Sequence, residues 1–464
     1  MGDGELKLAS QIASLLSDYR KESQSFDQKV LPWTDKRELV PTFAETLGGG
    51  RDPLALIALY LQHSTRLHSP KNMGHQVAAP IEVGQWFEWA AAALNQGSAI
   101  YEVGPASNAI EKALVDRLIA AIGFASKADG FATHGGTVGN LTALLAARNA
   151  ALPSSWSEGN KSDAVLVAGA DSHYSVTRAA GILGIGFENV VKVPLDEKRR
   201  MLPSALRSTL SDLRGRTVVA VVATSGSTSV GAFDPLEDLA EVCQKAGVWL
   251  HVDGAHGASI LLSQKHRHLA QGIGKARSVV WDAHKLLGVA ALCTFVLFQD
   301  FADSYRSFSQ NAPYLFDPEN PLEMDMAHRT LECTRRALAV PLWGLWSTKG
   351  EGFFASHIDA LFARTAQFYE LLREQADFKV IHEPECNILC FRYIPEGLNH
   401  ETAERLNELQ RQIRASLVKR GNFYITQTVL DGTRALRVTL MNPETSVSEQ
   451  EGLLQEIRQA FSYL

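Results

Sequence analysis

Residues 278–292, SVVWDAHKLLGVAAL, carry one lysine, Lys285, inside a run that otherwise reads as buried. An ammonium there is costly unless it is paired or chemically consumed. Asp253 lies 32 positions upstream, at the end of the apolar run VWLHVD, where a carboxylate has the converse need for a cation. The plain reading is a structural Asp–Lys ion pair. The chemical reading is a lysine that condenses with an aldehyde while the aspartate serves a cationic ring. A third segment, THGGTVGNLTALLAARN (residues 133–149), sets a glycine-bearing turn before a helical Ala/Leu pattern. Backbone amides of Gly136 and Thr137 at that helix start would form an anion site, although most such turns merely reverse the chain.

Together these residues suit pyridoxal 5'-phosphate. Lys285 would form a Schiff base with its aldehyde, and Asp253 would keep the pyridine nitrogen protonated so that the ring acts as an electron sink. His173, in ADSHYS, offers an aromatic plate for one ring face; taken alone, an ordinary hydrogen-bonded histidine is the commoner case. Ala255 is small enough to support the opposite face. Thr224, in VATSGSTSVGAFDP, can donate near the ring oxygen or a substrate carboxylate. The order of phosphate turn, stacking histidine, aspartate and lysine strengthens the case beyond its separate parts.

These side chains need elements to hold them. The central region alternates helices such as DPLEDLAEVCQKAG with the runs DAVLVAG, NVVKVP, TVVAVVA, VWLHVD, SVVW and CTFVLF. Continuous apolar runs between helices predict strands buried on both faces of a mainly parallel sheet, whose carboxyl ends collect ligands. ADSHYS, TSGSTSVGAFDP, DGAHG and DAHK each follow such a run. A helical pattern precedes this region, from Ser10 to about Ser98, broken by LPW, LGGGRDP and HSPKNMGH. Beyond about Gly350, long helical stretches alternate with CNILCFRYI and ALRVTLMN, which predicts a smaller α+β domain. The expected division is an N-terminal helical segment 1–98, a large α/β domain 99–350 and a small C-terminal domain 351–464.

Composition narrows the classes. The chain has 464 residues, 45% hydrophobic and 21% charged, with net charge −6, which suits a globular protein with a large core. Mild acidity gives no reason to expect nucleic acid or an anionic membrane as partner. The N-terminus lacks a signal-peptide apolar core, and no uncharged apolar run is long enough to cross a bilayer. The five cysteines show no paired metal-ligand spacing, so no metal is expected; reduced thiols in a cytoplasmic protein are the favoured reading.

The sequence resembles the group II pyridoxal-phosphate-dependent amino-acid decarboxylases, most nearly their glutamate and cysteine sulfinate decarboxylase branch. The matching stretches include SHYSVTRAAGILGIG, GSTSVGAFDPLEDLAEVC, VWLHVDGAHGASILLS, SVVWDAHKLLGVAALCTFVLFQD and LRVTLMNP, over about residue 67 to the C-terminus. The resemblance implies a fold type I, aspartate aminotransferase-like enzyme, a homodimer with its active site at the subunit interface. It implies Lys285 as the cofactor-bearing lysine, His173 as the ring-stacking base and Asp253 as the pyridinium partner. Gly136, Thr137 and His284 would contact the phosphate. Arg437 would bind the substrate α-carboxylate, as an arginine in an apolar strand can do bidentately; pairing with a protein acid is the alternative. Gln76 stands where the family places a polar contact to cofactor or substrate, with a plain loop glutamine nearly as common.

The implied reaction is α-decarboxylation of an L-amino acid, small and acidic by resemblance, to CO2 and an amine. Family members reprotonate Cα with help from a loop tyrosine. Here the segment YLFDPENPLEMDMAHRTLECTRR has no tyrosine after Tyr314. His256 stands where an aromatic residue is usual, Gly254 replaces an alanine, and His328 is a weak candidate proton donor against a solvated loop histidine. These departures leave open a carbon–carbon or carbon–sulfur lyase or aldehyde-forming reaction on the same scaffold; a cofactor-binding protein without turnover is the least favoured reading.

Overall fold

The apolar runs of the central region do pair into one seven-stranded sheet. The structure is a computed structural model that describes residues 3–161, 163–308 and 325–463. The strands are β1 (Asp129–Thr133), β2 (Ala164–Gly169), β3 (Val190–Val193), β4 (Thr217–Thr224), β5 (Trp249–Asp253), β6 (Ser278–Asp282) and β7 (Thr294–Phe298), in the order β1-β7-β6-β5-β4-β2-β3. Strands β3, β2, β4, β5 and β6 run parallel; β7 is antiparallel to both β6 and β1. Every residue of β2, β5, β6 and β7 is buried, which is why these segments read as continuous rather than alternating. The core between sheet and helices includes Phe131, Leu144, Leu166, Val222, Val280 and Phe298. The sequence pattern overlooked β1, because DGFAT is short and carries Gly130 in place of a β-branched run.

Strand β1 is tied down by a buried ion pair. Arg335 donates to both carboxylate oxygens of Glu111, at 2.8 and 2.7 Å, and to the carbonyls of Ala132 and Ser98. Glu111 in turn accepts from the Ala132 amide at 2.9 Å. The chain leaves β1 directly into the glycine turn and the helix Gly136–Ala151.

Contacts divide the chain into two compact units, residues 80–360 and residues 1–79 together with 361–464. The second contains an antiparallel sheet of β8 (Phe378–Val380), β9 (Ile388–Tyr393), β10 (Thr426–Leu430) and β11 (Thr433–Thr439), in the order β10-β11-β9-β8. This differs from the expected boundaries 1–98, 99–350 and 351–464. Met73 donates its amide to Tyr424 O and accepts from the Thr439 amide, both at 2.9 Å, and its side chain enters the core with Leu436 and Val438. Such pairing across more than three hundred residues leaves no trace in local composition. Four cysteines are buried, Cys333 is exposed, and none is bridged. Among the described residues, no helix is long and apolar enough to cross a membrane.

Candidate active site

The turns that follow β1, β2, β4, β5 and β6 enclose a cavity of about 260 Å³ within residues 80–360. Eight of the ten residues expected from the sequence line it: Lys285, Asp253 and His173, the turn residues Gly136 and Thr137, and then His284, Thr224 and Ala255. The parallel strands explain the convergence, since each brings its C-terminal turn to the same sheet edge.

Asp253 ends β5, buried. Its Oδ2 accepts from Asn140 Nδ2 at 2.9 Å and its Oδ1 from the Ala255 amide at 3.2 Å. The structure does not give Lys285 to Asp253 as an ion-pair partner. Lys285 Nζ lies 3.2 Å from Asp282 Oδ2, and Asp282 Oδ1 accepts from Thr294 Oγ1 at 2.6 Å. The pairing has a local cause, because Asp282 closes β6 only three residues before the lysine. Asp253 is thereby left with amide donors on one side and the cavity on the other.

Gly135 has φ +93°, a conformation that turns the chain sharply into the helix Gly136–Ala151. A Cβ on Gly136 would lie 3.0 and 3.1 Å from the Asp282 oxygens and 3.2 Å from Ala255 Cβ, so only glycine leaves this floor open. The N–H groups of Gly136 and Thr137 belong to the first turn, where helix donors have no intrahelical acceptor. His284 Nδ1 sits 3.0 Å from Cys293 O, and its Nε2 is 3.5 Å from Asp282 Oδ2.

His173 caps the helix Tyr174–Ile182, with Nδ1 accepting from the Ser175 amide at 3.3 Å and facing Ser175 Oγ at 2.9 Å. Burial holds its basicity below the usual imidazole range; Asp253 opposes that effect and Lys285 adds to it. Thr224 is fixed through its amide, which donates to Asp234 Oδ2 at 2.7 Å, while Asp234 Oδ1 accepts from Met201 N at 2.6 Å. Burial raises the Asp234 carboxyl to about 6 against those two amides.

The departures find places as well. His256 is buried and lines the cavity. Gly254 is dictated sterically, since a Cβ there would stand 2.9 Å from both Ala258 Cβ and Val280 O. His328 is half-buried and is not among the lining residues, and Tyr314 lies outside the described residues. Gln76 and Arg437 are brought together in the other unit: Arg437 donates to Gln76 Oε1 at 3.3 Å and to Thr426 Oγ1 at 3.2 Å. Burial lowers the basicity of this arginine, and among the described residues no carboxylate hydrogen-bonds to it.

Sequence reasoning missed Asn140, Asp282, Ser175 and His251. Asn140 was discoverable as an amide within an Ala/Leu helix, and Asp282 as a carboxylate at the end of SVVW. His251 carried no signal, because alternation in VWLHVD does not tell which buried polar groups meet.

A lysine, a carboxylate, an imidazole and a bare helix N-terminus around one cavity fit pyridoxal 5'-phosphate, on a mainly parallel α/β scaffold. Residues 52–394 match the family described as the pyridoxal-dependent decarboxylase conserved domain. Cysteine sulfinic acid decarboxylase of Mus musculus is 33% identical over 378 residues, covering 78% of this chain and 76% of the relative. Acidic amino acid decarboxylase of Bos taurus is 30% identical over 453 residues, covering 94% and 87%. The crystal structure of mouse CSAD superposes with a TM-score of 0.92 at 28% identity, covering 99% of both chains. The chain belongs to the pyridoxal-dependent decarboxylase family, and is a pyridoxal 5'-phosphate-dependent carboxy-lyase acting on amino acids.

Proposed function

We propose that the chain removes the α-carboxylate of a small acidic L-amino acid as CO2, leaving the amine, and that it does so as a homodimer in the cytoplasm. The observation that carries this reading is the single cavity shared by Lys285, Asp253 and His173. Acidic side-chain preference is supported by the names of the relatives, cysteine sulfinic acid decarboxylase and acidic amino acid decarboxylase.

When bound, the cofactor ring supplies a sink for the electron pair that departing CO2 leaves at Cα. Lys285 would hold that group, and Asp282, 3.2 Å from its Nζ, would receive the ammonium of the free side chain. Asp253 would accept from the ring nitrogen and stabilise its positive charge. His173 and Ala255 would flank the ring, and Gly136, Thr137 and His284 would hold the phosphate. Thr224 donates to the ring oxygen or substrate. Arg437, buried and lacking an acidic partner among the described residues, is assigned the α-carboxylate, with Gln76 steadying its guanidinium. His256 is a change in the lining that favours a second outcome, in which the product is an aldehyde.

Screening L-amino acids for CO2, amine, aldehyde and hydrogen peroxide in parallel decides between them. Stoichiometric CO2 and amine from aspartate, glutamate or cysteine sulfinate supports the proposal. Aldehyde with peroxide in place of amine sinks it, as does turnover confined to aromatic substrates. Lys285→Ala should abolish borohydride fixation of the cofactor; fixation that persists would move the anchor to another lysine.

A further inference from the structure

Behind Asp253 runs a continuous hydrogen-bond circuit. Asn140, the fifth residue of the helix Gly136–Ala151 and fully buried, donates from Nδ2 to Asp253 Oδ2 and to Ser175 Oγ, both at 2.9 Å. Its Oδ1 stands 3.0 Å from His251 Nε2. An ionised carboxylate only accepts, so the amide nitrogen must face Asp253 and Oδ1 is left as an acceptor. His251 therefore carries a proton on Nε2. Burial pushes this histidine below its ordinary range, against the pull of Asp253, which keeps the ring neutral and its Nδ1 bare. That nitrogen meets Ser278 Oγ at 2.8 Å, and Ser278 Oγ itself accepts from Trp249 Nε1 at 2.9 Å.

The other arm reaches His173. Ser175 Oγ already accepts from Asn140, so its own proton points to His173 Nδ1, which the Ser175 amide also approaches. Two donors on Nδ1 leave the proton of a neutral His173 on Nε2.

We propose that Asn140 is a positioning residue for both Asp253 and His173. Its amide holds Asp253 as an accepting carboxylate toward the ring nitrogen and, through Ser175, places the His173 proton on Nε2, while His251 and Ser278 lock the orientation of that amide. The assignment deepens the decarboxylase reading and rests on it for the group that meets Asp253.

Selective ¹⁵N-histidine NMR of the wild-type protein tests it, with and without pyridoxal phosphate, the signals being assigned with His173→Gln and His251→Gln. At neutral pH both rings should show a protonated Nε2 and a bare Nδ1; a protonated Nδ1 on either ring overturns the circuit. Ser175→Ala removes one of the two donors to His173, so its bare-nitrogen signal should shift, and an unchanged signal breaks that arm. His251→Gln keeps a donor for Asn140 Oδ1, whereas His251→Leu does not. Cofactor Kd should stay within about threefold of wild type for the first and rise roughly tenfold or more for the second, as expected for a lost hydrogen bond serving a charged group. Equal Kd values refute the locking role, and if the leucine variant does not fold, the wild-type tautomers decide. A wild-type protein with these tautomers that takes up no pyridoxal phosphate would end the functional reading and leave the circuit intact.

Discussion

Replacing Gly136 by alanine separates a cofactor cradle from a simple chain reversal. Gly136 does not have a positive φ, so alanine meets no backbone strain; the conflict is steric. The new methyl would press on Asp282 at 3.0 and 3.1 Å and on Ala255 at 3.2 Å. Neither neighbour yields freely, since Asp282 is held by Thr294 and Lys285 and the Ala255 amide by Asp253. Overpacking of this kind costs about 1–3 kcal/mol, while exchanging glycine for alanine in a helix returns up to about 1 kcal/mol. Cofactor-free stability should therefore fall by about 0–3 kcal/mol. Because both displaced neighbours line the cavity, cofactor Kd should rise roughly tenfold to hundredfold, about 1.4–3 kcal/mol. Titrating cofactor-free protein with pyridoxal phosphate, followed by near-visible absorption, gives Kd, and urea unfolding gives the stability. A variant with lowered stability but unchanged Kd would show that the turn only redirects the chain.

Two further outcomes concern stability. Glu111→Gln leaves the fully buried Arg335 without its counter-charge and should cost about 3–5 kcal/mol in urea unfolding; a loss below about 1 kcal/mol would contradict the pairing. His357 is held down to about 4 by burial, and its Nε2 has no hydrogen-bond partner among the described residues. Because its folded value lies below the unfolded 6.5, its contribution is complete above about pH 6.5 and is lost as pH falls toward 4. At about pH 4.5 the loss amounts to about 2.5 kcal/mol, so His357→Phe should lose that much less stability than wild type between about pH 7.5 and pH 4.5. Equal losses would refute the assignment.

Much of the site was legible because its chemistry is local. Lys285, Asp253 and His173 each end or follow an apolar strand, so strand periodicity alone sends them to one sheet edge. The glycine turn before residues 136–151 announced itself through the Ala/Leu helical pattern that follows it. What the sequence determined by itself was the order of strands and helices, the residue types at their carboxyl ends and hence the cofactor class. The structure decided which polar groups meet. It gave Lys285 to Asp282 rather than Asp253, and set Asn140 between Asp253, Ser175 and His251. It also paired Met73 with strands more than three hundred residues away. The physical reason is the range of the two signals. Apolar periodicity is written in neighbouring residues, whereas hydrogen-bond partnership depends on the register of strands and helices that only the packed chain defines.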